Sequence, residues 1–129
     1  MAKWAIRLGA EELNALMTDA FPDSEAAPGP VQHVEPGRIH VVRPFHPSML
    51  RPGELVSGPT LMGIADTAAY TLILAHVGPE LMAVTSSLTI NFLRGAKKGD
   101  IHADAELLSL GRRLAAQATV TYARATAAA

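Results

Sequence analysis

A single carboxylate, Asp66, lies inside the most apolar stretch of this 129-residue chain, eight residues after Gly58. The stretch opens with Ser57, Gly58, Pro59 and Thr60 and closes at Gly78, the cap chemistry of one long helix. Asp66 falls two to three turns in, too deep to act as the cap. At 3.6 residues per turn it shares a face with Met62, Ala69, Tyr70 and Ile73. An ionised carboxylate on such a face is costly unless it has a partner or access to water. Two readings follow. Asp66 bonds to Tyr70 or pairs with an arginine such as Arg51 and is structural, or it is held there for chemistry.

Few other residue types compete. The chain has no cysteine, which excludes disulfides, thiolate catalysis and thiolate metal sites. Its five histidines show no metal-ligand spacing. His46, between Pro44 and Pro47, reads as an incidental loop histidine rather than a base. No serine sits in a nucleophile-elbow pattern. A net charge of −1 gives no electrostatic case for nucleic acid or an anionic membrane, and Lys97–Lys98 and Arg112–Arg113 read as solvated turns. The first residues lack the apolar core of a signal peptide, so a soluble cytoplasmic protein is expected. The apolar helix is about as long as a membrane span, but the central Asp66, recurring threonines and the strands behind it argue against one.

The elements that must position Asp66 are legible in outline. The length suits one domain. Residues 9–21 read as a short amphipathic helix, with Leu13, Leu16, Met17 and Phe21 on one side and Pro22 ending it. A Pro/Gly-rich connector runs to Pro30. Val31 to Glu35 and Arg38 to Pro44 flank Pro36–Gly37 as a hairpin, and a proline-rich loop leads to Gly53. After the helix, Val84, Ser86, Leu88, Ile90 and Phe92 alternate with polar residues. Gly95 to Asp100 makes a turn; Ile101, Ala103, Ala105 and Leu107, then Leu114, Ala116, Ala118, Val120 and Tyr122, repeat the alternation. Three such strands predict an antiparallel meander. A helix apolar on nearly every side needs a sheet against one face and a cover on the other, and in so small a chain a second copy suits the cover.

The runs Val56 to Ala68, Ala83 to Arg94, Gly99 to Ala105 and Leu110 to Arg113 resemble hot-dog-fold acyl-CoA thioesterases of the phenylacetate-degradation (PaaI-like) type. The resemblance covers about Val31 to Tyr122. It implies an α+β fold in which a curved antiparallel sheet wraps one long central helix, and a homodimer, possibly a dimer of dimers. It implies a catalytic Asp66, with the Gly58 amide as oxyanion donor for a thioester carbonyl. In the family the helix opens His-Gly-Gly; here Ser57 stands at the histidine and Pro59 at the second glycine. Proline lacks an N–H, but in the first turn no helical bond is lost, so the Gly58 amide is spared. Arg51 stands where relatives often carry Asn or Gln, and could pair with Asp66 or clamp an anionic substrate.

By the same resemblance Ser57 is a second oxyanion donor or simply the helix cap, and Thr85 holds a water. Arg94, Arg112 and Arg113 meet the coenzyme A phosphates; Met62 is a further substrate-binding candidate, and Tyr70, on the Asp66 face, lines the acyl pocket or the dimer interface. No cofactor is implied beyond the coenzyme A of the substrate. The expected activity is hydrolysis of a small or medium acyl-CoA thioester, with Asp66 as general base or nucleophile. The alternative is a non-catalytic acyl-CoA-binding module acting as sensor or scaffold. A hot-dog hydratase is disfavoured, because no histidine lies next to Asp66. The chain stops soon after the last strand, where relatives add another, so that strand is expected to be short or missing.

Overall fold

The computed structural model describes residues 4–22, 29–81, 97–110 and the backbone of 116–124. In chain order the elements are α1 (Ala10–Ala20), β1 (Val31–Glu35), β2 (Arg38–Arg43), β3 (Leu50–Arg51), β4 (Leu55–Val56), α2 (Gly58–Val77), β5 (Ile101–Leu110) and β6 (Ala116–Arg124). Four strands form one antiparallel sheet in the order β1-β2-β5-β6. The expected strand over residues 84–92 lies outside the described residues.

The sheet presents one apolar face to α2. In β5, Ile101, Ala103, Ala105 and Leu107 are buried, while Asp104, Glu106 and Leu108 are exposed. Ile39 and Val41 of β2 pair with Ala105 and Ala103 and are buried with them. Small alanines on β5 let the helix approach the sheet closely. Against this face α2 sets Leu61, Ile64, Ala65, Ala68, Leu72 and Ala75, all at most 7% exposed. A strand alternates faces every residue and a helix returns every three to four, so the two patterns mesh along one seam.

The two-residue turn of the β1–β2 hairpin holds the far end of α2. Pro36 is followed by Gly37 at φ +81°, a backbone state that side chains with a Cβ rarely adopt. The Gly37 carbonyl accepts from Leu107 N–H at 2.8 Å, and its N–H donates to His76 Nε2 at 2.9 Å. Nδ1 of His76 in turn donates to the Leu72 carbonyl at 2.8 Å. Those two bonds fix the neutral tautomer protonated on Nδ1 and explain how a histidine only 4% exposed is tolerated. Trp4 closes over the turn: a Cβ on Gly37 would lie 3.1 Å from its ring.

α1 is pinned beside β1 by one side chain. The Asn14 amide donates to the Val31 carbonyl and accepts from the Val31 N–H, both at 2.9 Å, while Leu13 is fully buried. Glu11 and Glu12 sit in its first turn, complementing the helix dipole.

One stretch departs from expectation. Between Pro44 and Gly53 the sequence predicts an irregular loop, but Pro47–Met49 form a 3₁₀ turn and β3 pairs with β4. Two-residue ladders are too short to produce an alternating pattern. Gly53 at φ +94° and Glu54 at φ +58° close the turn between them. α2 is long and apolar enough to cross a membrane, yet half of its most apolar window is buried in the protein. A helix against a curved antiparallel sheet is the hot-dog arrangement.

Candidate active site

The start of α2 is built to leave an amide unused. Ser57 sits in extended backbone, and its Oγ accepts from the Thr60 N–H at 3.3 Å and lies 2.8 Å from Thr60 Oγ1. The first intrahelical bond runs from Leu61 N–H to the Ser57 carbonyl. Pro59 has no N–H to satisfy. That leaves the Gly58 N–H, for which no acceptor exists among the described residues, at the positive end of a 20-residue helix. Such an amide suits a carbonyl oxygen that gains negative charge.

Of the two roles open to Ser57, the cap is the one seen. Its hydroxyl serves Thr60, as a serine at this position of a helix ordinarily does. The β3–β4 pair fixes where this start sits: the Ser57 N–H donates to the Met49 carbonyl, and Leu50 pairs with Val56.

Asp66 lies on the face of α2 turned away from the sheet. Met62, one turn earlier, is 42% exposed, and Asp66, Ala69, Tyr70 and Ile73 are all partly exposed. A carboxylate here keeps solvent contact on a helix whose opposite face is sealed. Among the described residues, neither Tyr70 nor Arg51 bonds to it. The Tyr70 hydroxyl donates instead to the Leu81 carbonyl at 2.8 Å. Arg51 is exposed on β3, and no ion pair among the described residues joins it to Asp66.

Tyr70 carries the one clear electrostatic perturbation near the site. Burial raises its hydroxyl above the ordinary tyrosine value, and the Glu80 carboxylate pushes the same way. It is a neutral donor and a wall, not a proton source at neutral pH.

Gly58 and Asp66 are eight residues apart, about 12 Å along one helix axis at 1.5 Å per residue. Helical N–H groups point toward the N-terminus, so the Gly58 N–H points away from Asp66. One copy of α2 therefore cannot apply both groups to a single carbonyl.

The other sequence-level candidates separate into two sets. Thr85, Arg94, Arg112 and Arg113 lie outside the described residues. His46 is a local cap: its Nδ1 accepts from the Ser48 N–H at 3.1 Å and contacts Ser48 Oγ at 2.7 Å.

Sequence reading missed a second polar constellation. On the outer face of the sheet His40 Nδ1 lies 2.7 Å from Asp104 Oδ1, and His40 Nε2 lies 2.9 Å from His102 Nδ1. A pocket of about 420 Å³ beside it is lined by His33, Glu35, Arg38 and Glu106 among others. The register explains the cluster: His40 pairs with Asp104 and Val42 with His102, across more than sixty residues of chain. A period-2 alternation marks these residues as outward-facing but carries no signal of their partners. The sheet separates them from α2.

Comparison with known proteins agrees with the fold. Residues 53–124 match the thioesterase superfamily. Among solved structures, a protein described as a thioesterase from Silicibacter sp. is 32% identical, the match covering 83% of this chain and 74% of that one at a TM-score of 0.71. Zebrafish thioesterase superfamily member 2 is 21% identical over 91% of this chain and 87% of its own, at a TM-score of 0.72. A mutant of the phenylacetic acid degradation protein PaaI from Thermus thermophilus is 24% identical, covering 73% and 78%, at 0.62. The last two speak for the fold alone. No curated protein matches the chain. With the hot-dog arrangement in place and more than half of the sequence matched, the chain belongs to the thioesterase superfamily.

Proposed function

We propose that this protein hydrolyses a small or medium acyl-CoA thioester, in a site shared between two copies of the chain. The observation that carries the reading is Asp66 on the face of α2 turned away from the sheet, eight residues beyond a Gly58 amide with no acceptor among the described residues. Two α2 helices packed antiparallel about a two-fold axis set Asp66 of one against Gly58 of the partner subunit. This supplies the alignment that one helix cannot. Gly63 supports such a contact: it is exposed in mid-helix, and a Cβ there would meet nothing within 4 Å. Glycine inside a helix costs roughly 0.5–1 kcal/mol relative to alanine, and no contact among the described residues explains it. A second helix approaching closely does.

In this arrangement Asp66 takes a proton from a water as the water oxygen bonds to the thioester carbon. The carbonyl oxygen becomes the oxyanion and accepts a hydrogen bond from the N–H of Gly58 of the partner subunit. The C–S bond then breaks, coenzyme A leaves as a thiolate, and the proton held by Asp66 returns to it. In the second route the Asp66 carboxylate attacks directly and water hydrolyses the resulting anhydride. Thr85 holds the water, and Arg94, Arg112 and Arg113 receive the coenzyme A phosphates. Arg51, exposed beside the helix start, is available to an anionic group of the substrate. The expected assembly is a homodimer or a dimer of dimers, in the cytoplasm.

One observation favours a non-catalytic acyl-CoA binder. Ser57 replaces a histidine and spends its hydroxyl on the cap, so the oxyanion rests on one amide. The test is free-thiol release from a panel of acyl-CoAs by the native chain and by Asp66→Asn at matched folding. The likeness to PaaI puts phenylacetyl-CoA on that panel. Turnover that falls roughly 10²–10⁴-fold in the variant supports a general base. Turnover that survives removes Asp66 from the mechanism, and binding without turnover leaves the binder.

A further inference from the structure

One turn beyond Asp66 the outward face of α2 meets a wall assembled from three separate segments. Tyr70 is held by its hydrogen bond to the Leu81 carbonyl, in the segment that follows the helix. The ring of Phe21, just past the end of α1, stands edge-on to the Tyr70 ring, with centroids 6.4 Å apart and planes at 77°. α1 in turn is fixed by buried Leu13 and by the paired Asn14–Val31 hydrogen bonds. Phe21 and Leu81 are 45% and 38% exposed, apolar surface beside Tyr70, one turn along α2 from Asp66.

This wall lies where an acyl group has to go, granted the shared-site reading above. In an antiparallel pair the midpoint between Gly58 and Asp66 is Met62, which faces its own copy across the two-fold axis. The two sites then lie about 12 Å apart, and acyl groups running toward Met62 would meet in the middle. In the other direction the face continues past Ala69 to Tyr70, about 6 Å from Asp66 along the axis. Ala69 leaves room beside the carbonyl, and Tyr70 ends it.

We infer that Tyr70, braced by Phe21 and Leu81, is the stop that limits the acyl group to roughly four or five carbons or a flat ring of similar reach. Tyr70 acts by position and bulk, and its hydroxyl serves to lock the ring against Leu81 rather than to touch the reacting atoms.

The test uses binding, so that it stands apart from hydrolysis. Affinities of S-alkyl coenzyme A thioethers, two to twelve carbons long, are measured calorimetrically on the native protein, Tyr70→Ala, Tyr70→Phe and Phe21→Ala. For the native chain we expect about fourfold tighter binding per methylene up to the stop, then no further gain. Tyr70→Ala should continue to tighten and bind the ten-carbon thioether at least tenfold better than the native chain. Tyr70→Phe should keep the break, because it keeps the ring. Phe21→Ala, at a position 45% exposed, should soften the break in the same direction. A native affinity that rises unbroken to twelve carbons overturns the inference. So does a break at the same length in Tyr70→Ala and Phe21→Ala, or no binding at any length. Thioethers that bind with the expected break, on a protein that releases no thiol from any acyl-CoA, would overturn the hydrolase reading and leave the stop in place.

Discussion

The two long faces of α2 share one sequence and do opposite work. The face toward the sheet is sealed by Leu61, Ile64, Ala68, Leu72 and Ala75 and carries only two buried polar side chains, Thr71 and His76. Thr71 bonds back to the Thr67 and Ala68 carbonyls, and His76 links the helix to the hairpin turn. Every polar group there is tied to backbone. The outward face carries Asp66, and the helix start presents the Gly58 amide, among apolar residues that remain partly exposed. The contrast teaches where chemistry is tolerable in so small a fold. A carboxylate can be kept on a core helix when it lies on the face that the sheet does not seal.

Substitutions on the two faces should therefore separate stability from activity. The largest effect belongs to the outward face. Gly58→Pro deletes one N–H in the first helical turn, where proline is accepted, and Ser57 already has the extended backbone that must precede it (φ −68°, ψ 151°). We expect roughly a 10²–10³-fold loss in kcat with little change in melting temperature. Next comes the inward face. Leu72→Ala should cost about 2–5 kcal/mol in denaturant unfolding, while Met62→Ala, on the open side, should cost far less.

His76→Leu tests whether the inward polar groups are only structural. It leaves the buried Gly37 N–H without an acceptor and should cost about 1–3 kcal/mol, with rates per folded molecule unchanged. The smallest effect is at high pH. Tyr70 titrates above its ordinary value near 10 in the folded chain, so the folded state holds its proton more tightly than the unfolded one. The stability this contributes is complete below pH 10 and is lost as pH rises through the folded value, because a phenolate cannot donate to Leu81. Melting followed upward from pH 9 should decline more steeply for the native chain than for Tyr70→Phe.

Much of this was readable in the residues, and the unreadable part has a common cause. The bounds of α2 follow from Ser57 and Gly78, and the hairpin from Pro36–Gly37, because cap and turn chemistry is local. Alternation in β5 marked its buried face, and the helical period set Met62 and Asp66 together on the side of α2 away from the sheet. What local chemistry cannot carry is pairing across distance. Nothing in residues 38–43 or 101–106 states that β2 lies beside β5, so the His40–His102–Asp104 cluster went unseen. The anchoring of His76 by Gly37 was hidden for the same reason. The β3–β4 pair was missed through brevity. For the site, the positions of Gly58 and Asp66 were legible in spacing, whereas the cap role of Ser57 and the bond from Tyr70 to Leu81 needed coordinates.

The most direct test of a shared Asp66–Gly58 site is complementation between two dead variants. Asp66→Asn and Gly58→Pro are purified separately, mixed under conditions that exchange subunits, and assayed for thiol release from the best acyl-CoA. A mixed dimer holds one site with both changes and one with neither, so we expect activity to return to about a quarter of native in an equal mixture. A mixture that forms mixed dimers yet stays as inactive as its parents would contradict the shared site.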